Sequence, residues 1–144
     1  MARRRNVGLG LVRRAVIEKE WHATNVRAQI HAILGDDGNQ FVNAAGRVLY
    51  VVLGALIAEE VDADLPDVRI LRGACNALYE QAGEPDIQPM RRASMRSGLE
   101  ACDRLIEGLP RKALTNSACE LELMLRTSHL DWASFEQLLE RAAA

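Results

Sequence analysis

Apolar residues crowd most densely between Phe41 and Ala58, in the stretch FVNAAGRVLYVVLGALIA. Wound into a helix, this segment is apolar on nearly every side. A helix of that kind is stable in water only when other helices wrap it. Asn43 and Arg47 interrupt the run, which falls short of the uninterrupted length of about 18 apolar residues that a bilayer crossing asks for. The pattern therefore predicts an all-α fold: a single compact domain of about six helices around a central hydrophobic second helix. The domain is expected over residues 9–144, preceded by a flexible basic arm at 1–8.

A first helix is predicted from about Leu9 to Leu34. Val12, Val16, Ala23, Val26, Ile30 and Ile33 recur at spacings near three and four and form its seam. Ile17 and Trp21 fall outside that stripe. This helix is therefore buried on two sides, or offers a second face to a partner, or breaks near Thr24-Asn25, where a side-chain cap resets its phase. Gly35-Asp36-Asp37-Gly38 is a helix stop and turn. The second helix runs from about Asn39 to Glu60, with Phe41, Val42, Ala45, Val48, Leu49, Val52, Leu53 and Leu56 on its main apolar face. Along its back, Asn43, Arg47, Tyr50 and Gly54 are spaced four, three and four, so they share one line. Gly46 and Gly54 allow a neighbouring backbone to come close.

The loop at 61–65 leads into a third helix that opens on Pro66 and Asp67. It buries Val68, Leu71, Ala74, Cys75 and Leu78, with Tyr79 at the margin of the same face, and stops at Gly83. A loop holding Pro85 and Pro89 follows. The fourth helix runs to about Glu107, turns Met95, Leu99, Cys102 and Ile106 inward, and lays a ladder of Arg92, Arg96, Glu100 and Arg104 toward solvent. Gly108 stops it. A fifth helix from Pro110 to about Thr127 packs Leu114, Ala118, Leu121 and Leu125. Asp131 caps a last helix carrying Trp132, Phe135, Leu138 and Leu139.

Composition sharpens this picture at three points. Aromatic residues make up only 4%, so the core must be built from Leu, Val, Ile and Ala, which favours helices over a β-sandwich. The net charge of −2 conceals an asymmetry. Residues 1–30 carry seven basic side chains against two acidic ones, and the remainder carries eleven against eighteen. Arg3, Arg4, Arg5, Arg13 and Arg14 thus form a basic patch that suits nucleic acid or an acidic partner, although no helix-turn-helix accompanies it. Lys19 and Lys112 are the only lysines, and this Arg bias in an Ala-rich chain points to a GC-rich bacterial or phage genome. Lastly, Cys75, Cys102 and Cys119 are odd in number and widely spaced. They predict buried free thiols and a reducing, cytoplasmic setting. The basic N-terminus lacks a sustained apolar run, so no secretory signal is expected, and no membrane partner.

Chemistry is expected to be absent. His22, His31 and His129 lie in no metal-binding spacing, and no cofactor motif occurs. Cys75 sits among helical Ala and Leu neighbours, as a packing residue does. Glu59-Glu60, and Asp62 with Asp64, lie at a helix end and in a loop, where carboxylates are solvated. The stretch from Gly8 to Arg14 has too few glycines to cradle a phosphate and reads as a hinge between the arm and the first helix. The expectation is a small non-enzymatic protein-interaction module, a regulator or inhibitor that binds another protein. Ile17, Trp21, Asn43, Arg47 and Tyr50 are its candidate contact residues, and Ile17 with Trp21 are candidates for a homo-oligomer seam. Two alternatives compete with it. One is a nucleic-acid-associated regulator using the basic arm. The other is a small-ligand or enzymatic helical domain with a pocket at Asn43, Arg47 and Tyr50.

Overall fold

The computed structural model describes residues 10–36, 41–81 and 86–127. Those residues form six α-helices: α1 (Leu11–Glu20), α2 (Ala23–Leu34), α3 (Phe41–Ala58), α4 (Pro66–Glu80), α5 (Pro89–Leu105) and α6 (Arg111–Thr127). A 3-10 turn, Ile106–Gly108, follows α5. No strand occurs among the described residues, and the domain is all-α. The arm at 1–8 and the last helix expected after Asp131 lie outside the described residues.

The densest apolar stretch is the centre of the molecule. α3 packs against α2, α4, α5 and α6. Of the eight residues on its expected apolar face, seven are buried and Val42 is half-buried. α3 is also the one described helix whose length and hydropathy match a membrane span, yet 67% of it is buried by its neighbours. It ends at Glu60, whose φ of 53° turns the chain in the left-handed region. The Glu60 and Val61 amides donate back to the Ile57 and Leu56 carbonyls, each at 3.0 Å, which satisfies the last turn of the helix.

α4 and α5 make the closest helix pair. A Cβ placed on Gly98 would lie 2.2 Å from the Ala74 Cβ, so only glycine permits this approach. Arg104 on α5 grips Asp67 on α4, its Nη2 donating to Oδ1 at 2.8 Å and its Nε to Oδ2 at 3.2 Å. α3 and α6 also run close together at Gly54, where a Cβ would lie 2.4 Å from the Ser117 Oγ. That close approach was expected of Gly54.

The expected first helix is divided. α1 ends at Glu20, Trp21 and His22 leave the helix, and α2 restarts at Ala23. The His22 Nδ1 accepts from the Thr24 amide at 3.3 Å, so the cap falls slightly earlier than the expected Thr24-Asn25 break. The division changes the phase. Ile17 is buried in the core, whereas Val12 and Val16, expected on the seam, face outward. Tyr79, expected at the inward margin of its helix, is exposed.

Nor is the arginine ladder of α5 a purely solvent feature. The Arg96 guanidinium donates to the Leu34 carbonyl at 2.6 Å, and Arg92 reaches the Asp36 carbonyl at 3.5 Å while stacking 4.5 Å above the Phe41 ring. Both donate to backbone carbonyls at the C-terminal end of α2. Arg27 on α2 answers from the other side, pairing with Asp103 and Glu107. α2 is thus tied to α5 at both ends.

Candidate functional site

α1 is held on the body chiefly by α6. Arg13 clasps Glu122 with both carboxylate oxygens accepting, Arg14 donates to the Asn116 Oδ1 at 2.9 Å, and Arg111 of α6 reaches back to Glu18 at 3.2 Å. Ile17 is the apolar side chain between these pairs. Arg13 holds the Glu122 carboxyl below its ordinary range, chiefly through this hydrogen-bonded clasp, with burial opposing. The Arg13 guanidinium is strengthened as a cation in return.

The expected continuation of the basic patch onto the first helix is therefore corrected. Arg13 is neutralised by Glu122, and Arg14 is spent on an amide, because both project toward the polar edge of α6. Arg3, Arg4 and Arg5 lie outside the described residues. Ile17 is likewise corrected as a contact residue, since at 1% exposure it has no surface to offer. Tyr50 is also buried. The line along the back of α3 turns inward there, and Gly54 beyond it faces Ser117 of α6.

The other end of that line is open. Asn43 and Arg47 are exposed. Arg47 joins Trp21, Arg13, Glu20, Asn25, Gln29, Ala118, Leu121, Glu122 and Leu125 around a cleft of about 510 Å³. Four helices contribute to it, and it exists because the chain breaks at Trp21. The break swings α2 away from the line of α1 and leaves the indole half-exposed at the corner. Asn25 and Gln29 spend their amide N–H groups on the Lys19 and Glu20 carbonyls at the end of α1, so both residues brace the corner. Neither Asn43 nor Tyr50 lines this cleft, so the pocket expected at Asn43, Arg47 and Tyr50 is replaced by one that keeps Arg47 alone.

Charge in the cleft is unevenly used. Arg13 and Glu122 cancel. Arg47 makes no ion pair among the described residues and is exposed at the cleft. Ala118, Leu121 and Leu125 supply an apolar wall beside the indole of Trp21. A second cleft, of about 420 Å³, lies at the far end of α3 and α6 among Gly54, Glu59, Lys112, Ser117 and Glu120. Sequence reasoning did not find it, because Gly54 and Ser117 carry no signal of facing each other until the two helices are packed.

Cys75 and Cys102 are fully buried side by side in the core, and desolvation raises both thiols well above their ordinary range, so neither forms a thiolate at neutral pH. Among the described residues no three His, Cys, Asp or Glu side chains are placed to hold a metal ion. Compared with protein families, curated proteins and solved structures, the chain matches none.

Proposed function

We propose that the protein is a non-enzymatic interaction module that binds another protein through the cleft between α1, α2, α3 and α6. The observation that carries this reading is the pairing of an unclaimed guanidinium, Arg47, with a half-exposed indole, Trp21, over an apolar wall. Arg and Trp are the residues that most often anchor protein interfaces when they border a pocket that excludes water. The complementary partner segment would place a carboxylate on Arg47 and an apolar side chain against Trp21 and Leu125. Such a module would act as a regulator or inhibitor in a reducing cytoplasm, a setting supported by three buried, unpaired thiols.

The test is capture from native cell extract, with and without nuclease, using the wild type beside Trp21→Ala and Arg47→Ala. The expected outcome is a protein captured by the wild type in both conditions and lost with either substitution. Capture that vanishes with nuclease and ignores both substitutions would replace this reading with the nucleic-acid one, carried by Arg3, Arg4 and Arg5.

A further inference from the structure

The second cleft, at the far end of α3 and α6, holds a hydroxyl with nothing to bond. Ser117 is 5% exposed, and its Oγ finds no hydrogen-bond partner among the described residues. A helical serine or threonine commonly donates to the carbonyl four residues back, and Thr115 does so to Arg111 at 3.0 Å. Ser117 instead holds its Oγ over the bare backbone of Gly54, and both residues line the cleft. A buried hydroxyl left unmet carries a desolvation cost that a bonding partner removes. Around it the lining is small and apolar, from Ala58 and Ala113. The rim is charged. Glu59, Lys112 and Glu120 are exposed there, and none makes an ion pair among the described residues.

The two helices run antiparallel here. Gly54 faces Ser117, while Arg47, earlier in α3, shares the other cleft with Leu121 and Leu125, later in α6. Glu59 therefore stands at the Lys112 end of this cleft. Glu120 lies ~12 Å from Lys112 along the axis of α6, and Ser117 falls between them. We propose that this cleft binds a linear aliphatic polyamine, with one terminal ammonium on Glu59, the other on Glu120, and an amine between them donating to the Ser117 Oγ. Two carboxylates against one lysine leave the rim net negative, which selects a cation. Their separation selects a cation charged at both ends, whose methylene chain suits the small apolar lining between. A metal ion fits less well, because carboxylates so far apart cannot share one coordination shell. An anion at the start of α6 would meet Glu59. The site shares no residue with the Trp21 and Arg47 cleft and does not depend on the function proposed for it.

Isothermal titration calorimetry of the full chain with spermidine, and with butylamine as a single-ended control, tests this. Spermidine should bind about fivefold or more tightly than butylamine, and added salt should weaken it. Glu59→Gln and Glu120→Gln should each weaken spermidine binding by about two- to fivefold, the worth of an exposed ion pair. Lys112→Ala should strengthen it, because a competing cation leaves the rim. Ser117→Ala separates binding from folding. It should leave the melting temperature of the free protein unchanged or raised, since an unmet hydroxyl is removed, yet weaken spermidine several-fold. No binding of spermidine at millimolar concentration overturns the proposal, and so does equal binding of spermidine and butylamine. Binding that survives Glu59→Gln, Glu120→Gln and Ser117→Ala also overturns it, leaving only general attraction by an acidic chain.

Discussion

Single residues show where local physics is bent to the fold. Glu60 adopts a left-handed conformation at the end of α3, which costs a side-chain-bearing residue roughly 1–2 kcal/mol. Its backbone bonds leave no other geometry open, because Val61 must reach the Leu56 carbonyl. Glu60→Gly should therefore stabilise the protein by about 0.5–1 kcal/mol, read as a raised denaturant midpoint. Glu122 shows the electrostatic counterpart. Its carboxyl titrates below its ordinary value because Arg13 clasps it, and Asp67 does so because of Arg104. A carboxyl with a lowered folded pKa contributes stability above the ordinary carboxylate range and loses it as pH falls through the lowered value. Glu122→Gln should thus reduce stability at neutral pH and make the acid limb of the stability profile shallower. Denaturation series across pH in both proteins check this.

At the scale of elements, the instructive case is α1. Its apolar periodicity selects Val12 and Val16, yet the helix buries Ile17 and turns both valines outward. α6 offers a carboxylate and an amide at the heights of Arg13 and Arg14, and Ile17 is buried between these pairs. Since Ile17 is the one buried residue of α1, Ile17→Ala should cost about 2–4 kcal/mol at this helix. Hydrogen exchange should show α1 amides losing protection while α3 amides keep theirs. The α4–α5 pair poses the opposite problem of too little room. Gly98→Ala should destabilise by about 1–3 kcal/mol, because its methyl would overlap that of Ala74. Adding Ala74→Gly should recover part of the loss, and a double-mutant cycle in denaturant measures the coupling.

Across the whole molecule, one apolar helix organises the rest. α3 meets four other helices, so its burial depends on all of them together, and the core is expected to open as a unit. The thiols report on this. Cys75 and Cys102 are sealed and held neutral, and Cys119 is nearly buried beneath the α1–α6 contact. In native buffer the first two should resist a thiol reagent, with labelling that follows global unfolding. Cys119 should react sooner in Ile17→Ala, where α1 is loosened. Mass spectrometry of labelled peptides separates the three. The molecule also presents two unlike surfaces, a mixed cleft with a cation that makes no ion pair among the described residues, and an apolar strip on α1. Loss of partner capture in Arg47→Ala, with helicity kept, assigns the function of the cleft.

The sequence by itself determined what burial alone decides. The all-α class, the central helix with seven of its eight expected core positions, the start of α4 at Pro66, and the sealed cysteines all follow from hydrophobic periodicity and turn chemistry. It also singled out Trp21, Arg13 and Arg47, each for its own local reason. Only tertiary structure decided that these three border one cleft, since their meeting depends on the angle set by the break at Trp21 and His22. Tertiary structure also decided which side of α1 faces in. Periodicity ranks positions by how much they gain from leaving water. It carries no information about a carboxylate on α6, more than a hundred residues away in sequence, that pairs with Arg13.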